Sequence, residues 1–321
     1  MLSRHADILV TGASGFVGKQ LIARLAREHP GAAIVGTDMQ ALPDDGGRCA
    51  HVALDITDLR AVRDLIAQQK PALVFHLAAQ SHVPTSFQQP VLTWNVNLMG
   101  TLHLLEALKA ARPDAQFVFV GSAEAYGREF LAGVPIAENT LFAPMNPYAA
   151  SKAAGDILVR QQAAEGLRTV VLRPFNHVGP GQRQDFVVSA FCSQIARIER
   201  GLQEPVIMVG NLEARRDFLD VRDVLDAYVA VVGEGTAIPS GTAYNLCSGR
   251  TVTIREVLDD LLSLSGVAID VRVDPARLRP SDIPVAVGDG GAARAAFGWE
   301  PRIPWQKTLA DTLDYWRAAV G

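Results

Sequence analysis

The sequence predicts an α/β protein with a doubly wound parallel sheet and a smaller, interleaved C-terminal domain. Three observations support this fold class. Short apolar runs rich in β-forming residues alternate with helix-length periodic segments through the first half of the chain. The apolar runs lack polar alternation, as expected for strands buried on both faces. Of the 321 residues, 49% are hydrophobic, which is enough for a substantial core.

The first half contains five strand-like runs separated by four helical segments. The strands are "DILVTG", "AAIVGTD", "ALVFHLA", "QFVFVGS" and "RTVVLRP". The helices are "GFVGKQLIARLARE", "DLRAVRDLIAQQ", "VLTWNVNLMGTLHLLEALKAA" and "NPYAASKAAGDILVRQQAAE". Buried strands joined by crossover helices form a parallel sheet covered on both faces, the Rossmann arrangement.

After Pro174 the alternation changes. A polar loop, "NHVGPGQRQDF", precedes a helix, "VVSAFCSQIARIERG", a strand, "PVIMVG", and the segment "RRDFLDVRDVLDAYVAVV". "AYNLCSG" resembles another core strand, whereas "IREVLDDLLSLSG", "AIDVRVDP" and "PWQKTLADTLDYWRAAV" suit a smaller domain. We therefore predict a dinucleotide-binding domain of residues 1–176 plus about 218–248, and a second domain of 177–217 plus about 249–321.

Composition argues against several classes of protein. The net charge is −4 and no run of Lys or Arg forms a basic stripe, so neither nucleic acid nor a membrane surface is an expected partner. The apolar run in "MLSRHADILVTG" is too short for a signal peptide, which predicts a cytoplasmic protein. Cys49, Cys192 and Cys247 lack metal-ligand spacing, so we predict free thiols and no metal site.

The stretch "TGASGFVGKQL" predicts a dinucleotide site. Gly12, Gly15 and Gly18 lie between the first strand and the first helix, where a tight turn must bring backbone N–H groups close to a pyrophosphate. Asp38 ends the second strand, where its carboxylate can accept both ribose hydroxyls and would repel a 2′-phosphate. We therefore expect NAD(H) to be preferred, with NADP(H) as the alternative. A simple loop-capping role for Asp38 stays open.

A second constellation predicts proton transfer. Tyr148 and Lys152 lie four residues apart on one helix face, so the ammonium is expected to lower the pKa of the phenol. Ser122 follows the strand "QFVFV" at the same predicted sheet edge. Each feature alone is common, but the glycine turn, the serine and the Tyr-x-x-x-Lys spacing together are specific.

These motifs resemble the extended short-chain dehydrogenase/reductase family, over essentially the whole chain. The resemblance implies that Tyr148 is the general acid/base, that Lys152 also holds the nicotinamide ribose, and that Ser122 hydrogen-bonds the reacting oxygen. It implies backbone contact of the His177 stretch with the nicotinamide, although a structural donor role for His177 stays open. The predicted cofactor-binding residues are Gly12, Ser14, Gly15, Phe16, Val17, Gly18, Asp38, Asp55, Ile56, Leu77, Ala78, Ala79, Asn97, Tyr148, Lys152 and His177.

The second half is similar to the nucleotide-sugar branch of that family. "LRPFNHVGPGQ", "VGNLEARRDFLDVRDV", "YNLCSG" and "RPSDIPVAVGD" resemble the paired GDP-mannose 4,6-dehydratase and GDP-4-keto-6-deoxymannose reductase groups. The second domain is then expected to bind a GDP-linked deoxyhexose. The predicted substrate-binding residues are Ser122, Glu124, Asn176, Val187, Arg216 and Arg279. For Arg216, simple pairing with Asp217 or Asp220 stays open.

Glu124 bears on the choice between the two groups. A 4,6-dehydratase needs a carboxylate base to remove the C5 proton, and Glu124 occupies that position in "GSAEAYG". The acidic "TDMQALPDDGG" loop and the compact chain resemble the reductase group instead. We expect reduction of the C4 ketone of GDP-4-keto-6-deoxy-D-mannose to GDP-D-rhamnose, with Ser122, Glu124, Tyr148 and Lys152 at the catalytic site. The alternatives are a GDP-mannose 4,6-dehydratase, another nucleotide-sugar 4-epimerase or 4-reductase, and a catalytically idle dinucleotide-binding scaffold.

The helices "VLTWNVNLMGTLHLLEALKAA" and "YAASKAAGDILVRQQ" are apolar enough for a four-helix bundle between two subunits, as the family resemblance implies. We therefore expect a homodimer, although packing within one chain would leave the same pattern.

Overall fold

The computed structural model describes residues 7–40, 49–233, 237–277 and 283–320. Its strands are β1 (Ile8–Thr11), β2 (Ile34–Asp38), β3 (Ala50–Ala53), β4 (Leu73–His76), β5 (Gln116–Val120), β6 (Arg168–Pro174), β7 (Asn176–Val178), β8 (Val206–Val209), β9 (Arg215–Arg216), β10 (Phe218–Asp220), β11 (Thr242–Leu246), β12 (Val252–Thr253), β13 (Asp270–Val273) and β14 (Val285–Ala286).

The α-helices are α1 (Phe16–Glu28), α2 (Leu59–Gln69), α3 (Val83–Gln88), α4 (Pro90–Trp94), α5 (Gly100–Ala111), α6 (Pro147–Ala164), α7 (Val187–Glu199), α8 (Val221–Ala230), α9 (Ile254–Ser263), α10 (Gly291–Phe297) and α11 (Trp305–Ala319). A π-helical turn, Asn95–Met99, joins α4 to α5. Segments of 3₁₀-helix span Ala123–Ala132, kinked at Gly127, and Pro275–Arg277.

The chain divides into two compact units. The first comprises Met1–Gly127, Leu141–Pro174 and Tyr228–Tyr244, and the second comprises Arg128–Thr140, Phe175–Ala227 and Asn245–Gly321. Each unit has its own buried apolar cluster, the first around residues such as Leu9 and Phe117, the second around residues such as Phe191 and Leu258. The functional roles predicted for two domains stay predictions.

A seven-stranded sheet forms the first unit, in the order β11-β6-β5-β4-β1-β2-β3. The pairs from β3 across to β6 are parallel, which confirms the predicted fold class. The strand order reverses beside β1, which pairs with both β2 and β4. In doubly wound sheets, ligands bind at the carboxyl ends of the strands next to such a reversal.

Capping side chains define where several of the helices begin. Asp58 caps α2 by accepting from the N–H groups of Arg60 and Ala61. Thr253 and Glu256 form a reciprocal capping box at the start of α9. Asn146 caps α6, and Pro147 follows at its first position, where no N–H is needed.

Two differences from the predicted elements matter for the site. The predicted single helix in "VLTWNVNLMGTLHLLEALKAA" is interrupted by the π-helical turn. Strand β3 was not predicted, because "AHVA" is short and half-exposed and carries a histidine. Within the described residues, no helix combines the length and apolar character needed to cross a bilayer.

Candidate active site

The glycine turn after β1 has the geometry that a dinucleotide pyrophosphate requires. Gly12 has φ +71, and a Cβ there would lie 2.8 Å from the backbone nitrogen of Ala78. A Cβ on Gly18 would overlap the carbonyl oxygen of Gly12. Helix α1 begins at Phe16 and has no acidic residue in its first turn, so no carboxylate there opposes an anion at its positive end. We call this turn, from Gly12 to Gly18, the glycine cradle, because a side chain at either of these two glycines would overlap neighbouring backbone atoms.

Asp38 lies at the end of β2 and is hydrogen-bonded to the glycine turn. Its Oδ2 accepts from the Ser14 hydroxyl at 2.5 Å and the Ser14 N–H at 3.1 Å, and its Oδ1 accepts from Met39 N–H. The carboxylate thus ties β2 to the turn, as the loop-capping alternative requires. Each carboxylate oxygen has two lone pairs, so these bonds leave acceptor capacity for a ribose hydroxyl.

Asp55 and Ile56 lie after β3. Asp55 Oδ1 accepts from the Thr57 N–H and hydroxyl at 2.8 and 2.7 Å, closing a turn. The Ile56 carbonyl is hydrogen-bonded to His103 Nδ1, and its side chain covers Gly100 closely. The structure therefore shows local contacts for both residues, while their predicted contact with the cofactor stays a prediction.

Asn97 is buried in the π-helical turn, and its side chain makes three hydrogen bonds. Its Oδ1 accepts from Gln80 N–H at 2.8 Å, and its Nδ2 donates to Gln80 O at 3.0 Å and to Ser151 Oγ at 2.9 Å. Ser151 in turn donates to the carbonyl of Tyr148 at 2.8 Å. Asn97 thereby connects the loop after β4 with α6, and π-helical turns are frequent at functional sites.

Ser122, Glu124 and Tyr148 come together beside the end of β5. The Ser122 hydroxyl, almost fully buried, accepts from Glu124 N–H at 3.2 Å. Asn146 caps α6 by accepting from Ala149 N–H, and it also donates to Glu124 Oε2 at 3.3 Å. The same amide thus begins the helix that carries Tyr148 and holds the carboxylate of Glu124.

The pKa of Tyr148 is raised to about 12. Burial is the largest cause, the hydrogen bond with Ser122 lowers the pKa, and the nearby Glu124 charge raises it. The predicted lowering of this pKa by Lys152 is therefore wrong for this structure, because desolvation of the phenolate outweighs every stabilising contact. The phenol is protonated at neutral pH.

Lys152 is buried one helical turn beyond Tyr148. Its Nζ donates to the Val120 carbonyl at 2.8 Å and lies 5.0 Å from the centre of the Phe119 ring. Burial lowers its pKa to about 7. At neutral pH the side chain is therefore divided between its charged and neutral forms.

A buried ion pair that sequence reasoning missed supports the same elements. The Arg173 guanidinium forms a bidentate pair with Asp156, four residues after Lys152, at 2.7 and 3.0 Å. It also donates to the Tyr126 hydroxyl at 2.7 Å and lies over the Phe142 ring. The signal was an arginine inside the apolar run "TVVLRPF", where a lone charge is not tolerated.

The predicted substrate-binding residues other than Ser122 and Glu124 belong to the second unit where they are described. Asn176 is exposed at the start of β7, and Val187 is the first residue of α7. Arg216 donates to the carbonyls of Arg215 and Ile283, while Asp220 pairs with Arg222. Their contact with a nucleotide sugar stays a prediction. Arg279 lies outside the described residues.

His177 has a fixed donor role. Its Nδ1 lies 3.1 Å from the Phe175 carbonyl, which can only accept, and burial lowers the pKa of the imidazole. This contact agrees with a structural donor. Cys49, Cys192 and Cys247 are buried free thiols, and the described residues contain no cluster of metal-ligating side chains.

Comparison with known proteins gives consistent matches over the whole chain. A family model described as GDP-mannose 4,6 dehydratase matches residues 9–312. A GDP-6-deoxy-D-mannose reductase of Pseudomonas aeruginosa is 39% identical, covering 98% of each protein. A GDP-mannose 4,6-dehydratase of Sordaria araneosa is 32% identical, and the match covers 81% of this chain but only 50% of that protein. The structure of RMD from P. aeruginosa complexed with NADPH superimposes with a TM-score of 0.86 at 37% identity, covering 98% of this chain and 99% of RMD.

Proposed function

Since the chain belongs to the GDP-mannose 4,6 dehydratase family, we propose that it is a nicotinamide-dependent reductase of a GDP-linked 4-keto-6-deoxyhexose. The substrate is GDP-4-keto-6-deoxy-D-mannose and the product GDP-D-rhamnose. The observation that carries the proposal is the grouping of Ser122 with a protonated Tyr148 beside β5, one helical turn from Lys152. A reductase needs a proton donor at this position.

The residues of the first unit suit the cofactor. The glycine cradle fits a pyrophosphate, and Asp38 stands where a ribose would be recognised. NAD(P)H, when bound, supplies the hydride for the C4 carbon. Tyr148 donates its phenolic proton to the C4 oxygen as that oxygen gains charge, and Ser122 donates a hydrogen bond to the same atom. The charged form of Lys152 would stabilise the phenolate left behind, which favours transfer of the proton to the sugar oxygen.

A protonated phenol is the form that the reduction of a ketone requires. With a pKa of about 12, Tyr148 holds its proton throughout the neutral range and is ready to act as an acid. The 39% identity with the P. aeruginosa reductase, in a match that covers 98% of both proteins, supports a reductase over a dehydratase.

Glu124 separates the reductase from the dehydratase alternative. Asn146 holds its carboxylate, which we propose accepts a sugar hydroxyl rather than removing a proton. Glu124→Gln keeps the shape and one acceptor oxygen, so reductase activity is expected to stay within about tenfold of the wild type. Loss of a general base costs about 10²–10⁴-fold. A loss in that range, together with dehydration of GDP-mannose by the wild type, would favour the dehydratase.

The decisive assay supplies purified 4-keto-6-deoxy sugar nucleotide with NADH or NADPH and follows loss of nicotinamide absorbance. Oxidation of the cofactor and formation of a 6-deoxyhexose nucleotide are expected. Tyr148→Phe serves as the inactive control, because it keeps the ring and removes the proton donor. If no cofactor is oxidised while GDP-mannose alone is converted to a 4-keto product, the reductase proposal fails.

We further propose that NADH is preferred over NADPH. The Asp38 carboxylate, fixed by Ser14 at the end of β2, would repel a 2′-phosphate. RMD from P. aeruginosa was solved with NADPH, so both cofactors belong in the assay. The ratio of kcat/KM for NADH to that for NADPH should exceed one. A ratio below one would indicate that Asp38 only caps the glycine turn and does not select against NADPH.

In the second unit, we propose that Asn176, Val187, Arg216 and Arg279 bind the nucleotide sugar. Arg216 offers a guanidinium to the diphosphate, and Asn176 offers an exposed amide to the sugar. Arg216→Met should raise KM for the sugar nucleotide by at least about tenfold, since a charge-assisted contact is lost. The affinity for NADH should not change.

We also propose a cytoplasmic homodimer. Large apolar side chains are exposed on α4, the π-helical turn and α6, namely Val91, Leu92, Trp94, Met99 and Ile157. An exposed apolar face of this kind is typical of a subunit interface. Light scattering after size exclusion should give twice the chain mass for the wild type and the chain mass for Ile157→Lys. A monomeric wild type would refute the dimer.

A further inference from the structure

His76 is a buried histidine that the proposed reaction does not use. It is the last residue of β4, is 1% exposed, and packs between the rings of Phe117 and Phe119 at centroid distances of 5.6 and 5.9 Å. Both ring nitrogens are hydrogen-bonded, Nδ1 to Thr11 Oγ1 at 2.7 Å and Nε2 to Thr101 Oγ1 at 2.9 Å. Two buried hydroxyls therefore hold the ring in one orientation.

The neighbouring bonds fix where the protons lie. Thr101 Oγ1 is 2.7 Å from the Asn97 carbonyl, which can only accept, so the single hydroxyl proton of Thr101 is given to that carbonyl. Thr101 must then accept from Nε2–H of His76. Nδ1 is therefore the acceptor for the Thr11 hydroxyl, whose oxygen in turn accepts from Ala78 N–H at 3.2 Å. This arrangement uses every donor once and leaves the imidazole neutral.

The series of hydrogen bonds from Thr11 through His76 to Thr101 reaches both the glycine turn and the π-helical turn. At one end, Thr11 precedes Gly12 and accepts from the N–H of Ala78, whose nitrogen a Cβ on Gly12 would meet at 2.8 Å. At the other end, Thr101 holds the carbonyl of Asn97 in the π-helical turn. His76 thus joins β1, β4 and α5 through a single ring.

We propose that His76 is a positioning residue, a permanently neutral imidazole protonated on Nε2. Through Thr11 it fixes the position of the glycine cradle, and through Thr101 it fixes the position of Asn97. Burial, followed by the charge of Lys152, lowers the pKa of His76 to about 3, which agrees with a neutral ring. Because the ring is buried and both of its nitrogens are bonded to threonine hydroxyls, its effect passes through these partners.

The protonation state can be measured without any substrate. The ¹⁵N spectrum of uniformly labelled wild-type protein, with the His76 ring assigned through its contacts with the Phe117 and Phe119 rings, should show a protonated Nε2 and a bare Nδ1, unchanged from pH 5 to pH 9. A protonated Nδ1, or a titration in that range, would overturn the proposal.

Two substitutions of His76 test its contact with Thr11 and its contact with Thr101 separately. His76→Asn places an acceptor near the position of Nδ1 but has no donor for Thr101, whereas His76→Gln places a donor near Nε2 but has no acceptor for Thr11. His76→Gln should weaken NADH binding by about tenfold, because a buried hydroxyl loses its acceptor beside the cradle. In His76→Asn the Asn97 amide keeps its bonds to Gln80 and Ser151, so NADH should bind within about twofold of the wild type. The carbonyl of Asn97 is held less firmly, and through Ser151 this should disturb the Tyr148 carbonyl and lower kcat by about tenfold.

The exposed His29→Asn is the matched control and should change neither quantity. The proposal fails if both His76 variants bind NADH as the wild type does, or if both lose affinity and kcat equally. Either result would mean that His76 only fills space in the core. If the variants do not fold, the wild-type ¹⁵N spectrum and NADH binding by Thr101→Val still decide, with binding expected within about twofold. Only the kcat comparison rests on the proposed function, so a failed reductase assay leaves the spectrum and the NADH affinities as independent tests.

Discussion

Replacing Lys152 with methionine should stabilise the protein at neutral pH while abolishing activity. Moving a lysine pKa from its ordinary value of 10.5 to about 7 corresponds to about 5 kcal/mol. The unfolded chain holds this proton up to pH 10.5, whereas the folded chain releases it above about pH 7. Since the unfolded state binds more protons between these values, wild-type stability gains up to ~1.4 kcal/mol per pH unit across that window.

Methionine has a similar length and no charge, so the variant lacks this dependence. It also loses the hydrogen bond to the Val120 carbonyl, worth about 1 kcal/mol. Below pH 7 the variant should therefore be more stable than the wild type by about 4 kcal/mol. The advantage should shrink as the pH rises and reverse near pH 10.5, where the wild-type lysine is neutral in both states.

Urea unfolding of both proteins at pH 6.5, 8 and 9.5, followed by circular dichroism, measures this difference. Lys109→Met is the matched control, because the hydrogen bonds that the Lys109 ammonium donates to Glu165 and Glu106 raise its pKa, and its substitution should bring no gain at any of these pH values. If the advantage of Lys152→Met were the same at pH 6.5 and 9.5, the ammonium would not be desolvated and the reasoning would fail.

Three further predictions follow from the geometry. Asp38→Ser should raise the ratio of kcat/KM for NADPH to that for NADH by at least about tenfold, because the repulsive carboxylate is gone; an unchanged ratio in steady-state kinetics would contradict this. Arg173→Met should destabilise the fold by about 3–5 kcal/mol in urea titrations, since it leaves Asp156 charged and buried, and adding Asp156→Leu should restore part of the loss. Gly12→Ala should abolish NADH binding measured by fluorescence, whereas Gly31→Ala, where a Cβ meets nothing within 4 Å, should leave it intact.

The sheet and the positions of the main site residues could be predicted because they depend on local pattern. Apolar runs without alternation located β1, β4, β5 and β6, and turn chemistry required glycine at Gly12. Parallel strands bring their carboxyl ends to one edge, so the approach of Ser122 to the helix bearing Tyr148 could be expected before any distance was known.

Other properties depend on contacts that sequence spacing does not contain. The direction of the Tyr148 pKa reflects a balance between burial and charge, and the ammonium of Lys152, expected to lower it, donates instead to Val120. The chain from Thr11 through His76 to Thr101 joins residues far apart in sequence. Its one visible sign was a histidine at the end of the apolar run "ALVFHLA".

The π-helical turn Asn95–Met99 also has a consequence for helical phase. An α-helix advances about 100° per residue, and a π-helical turn accommodates one extra residue without shifting the faces of the helix on either side. Deleting one residue there would let α4 and α5 merge into a regular helix with stronger internal hydrogen bonding. The same deletion would rotate the Asn97 position by about 100° relative to one flank and turn its amide away from Gln80 and Ser151. The extra residue of the π-helical turn is therefore what keeps Asn97 in contact with Gln80 and Ser151.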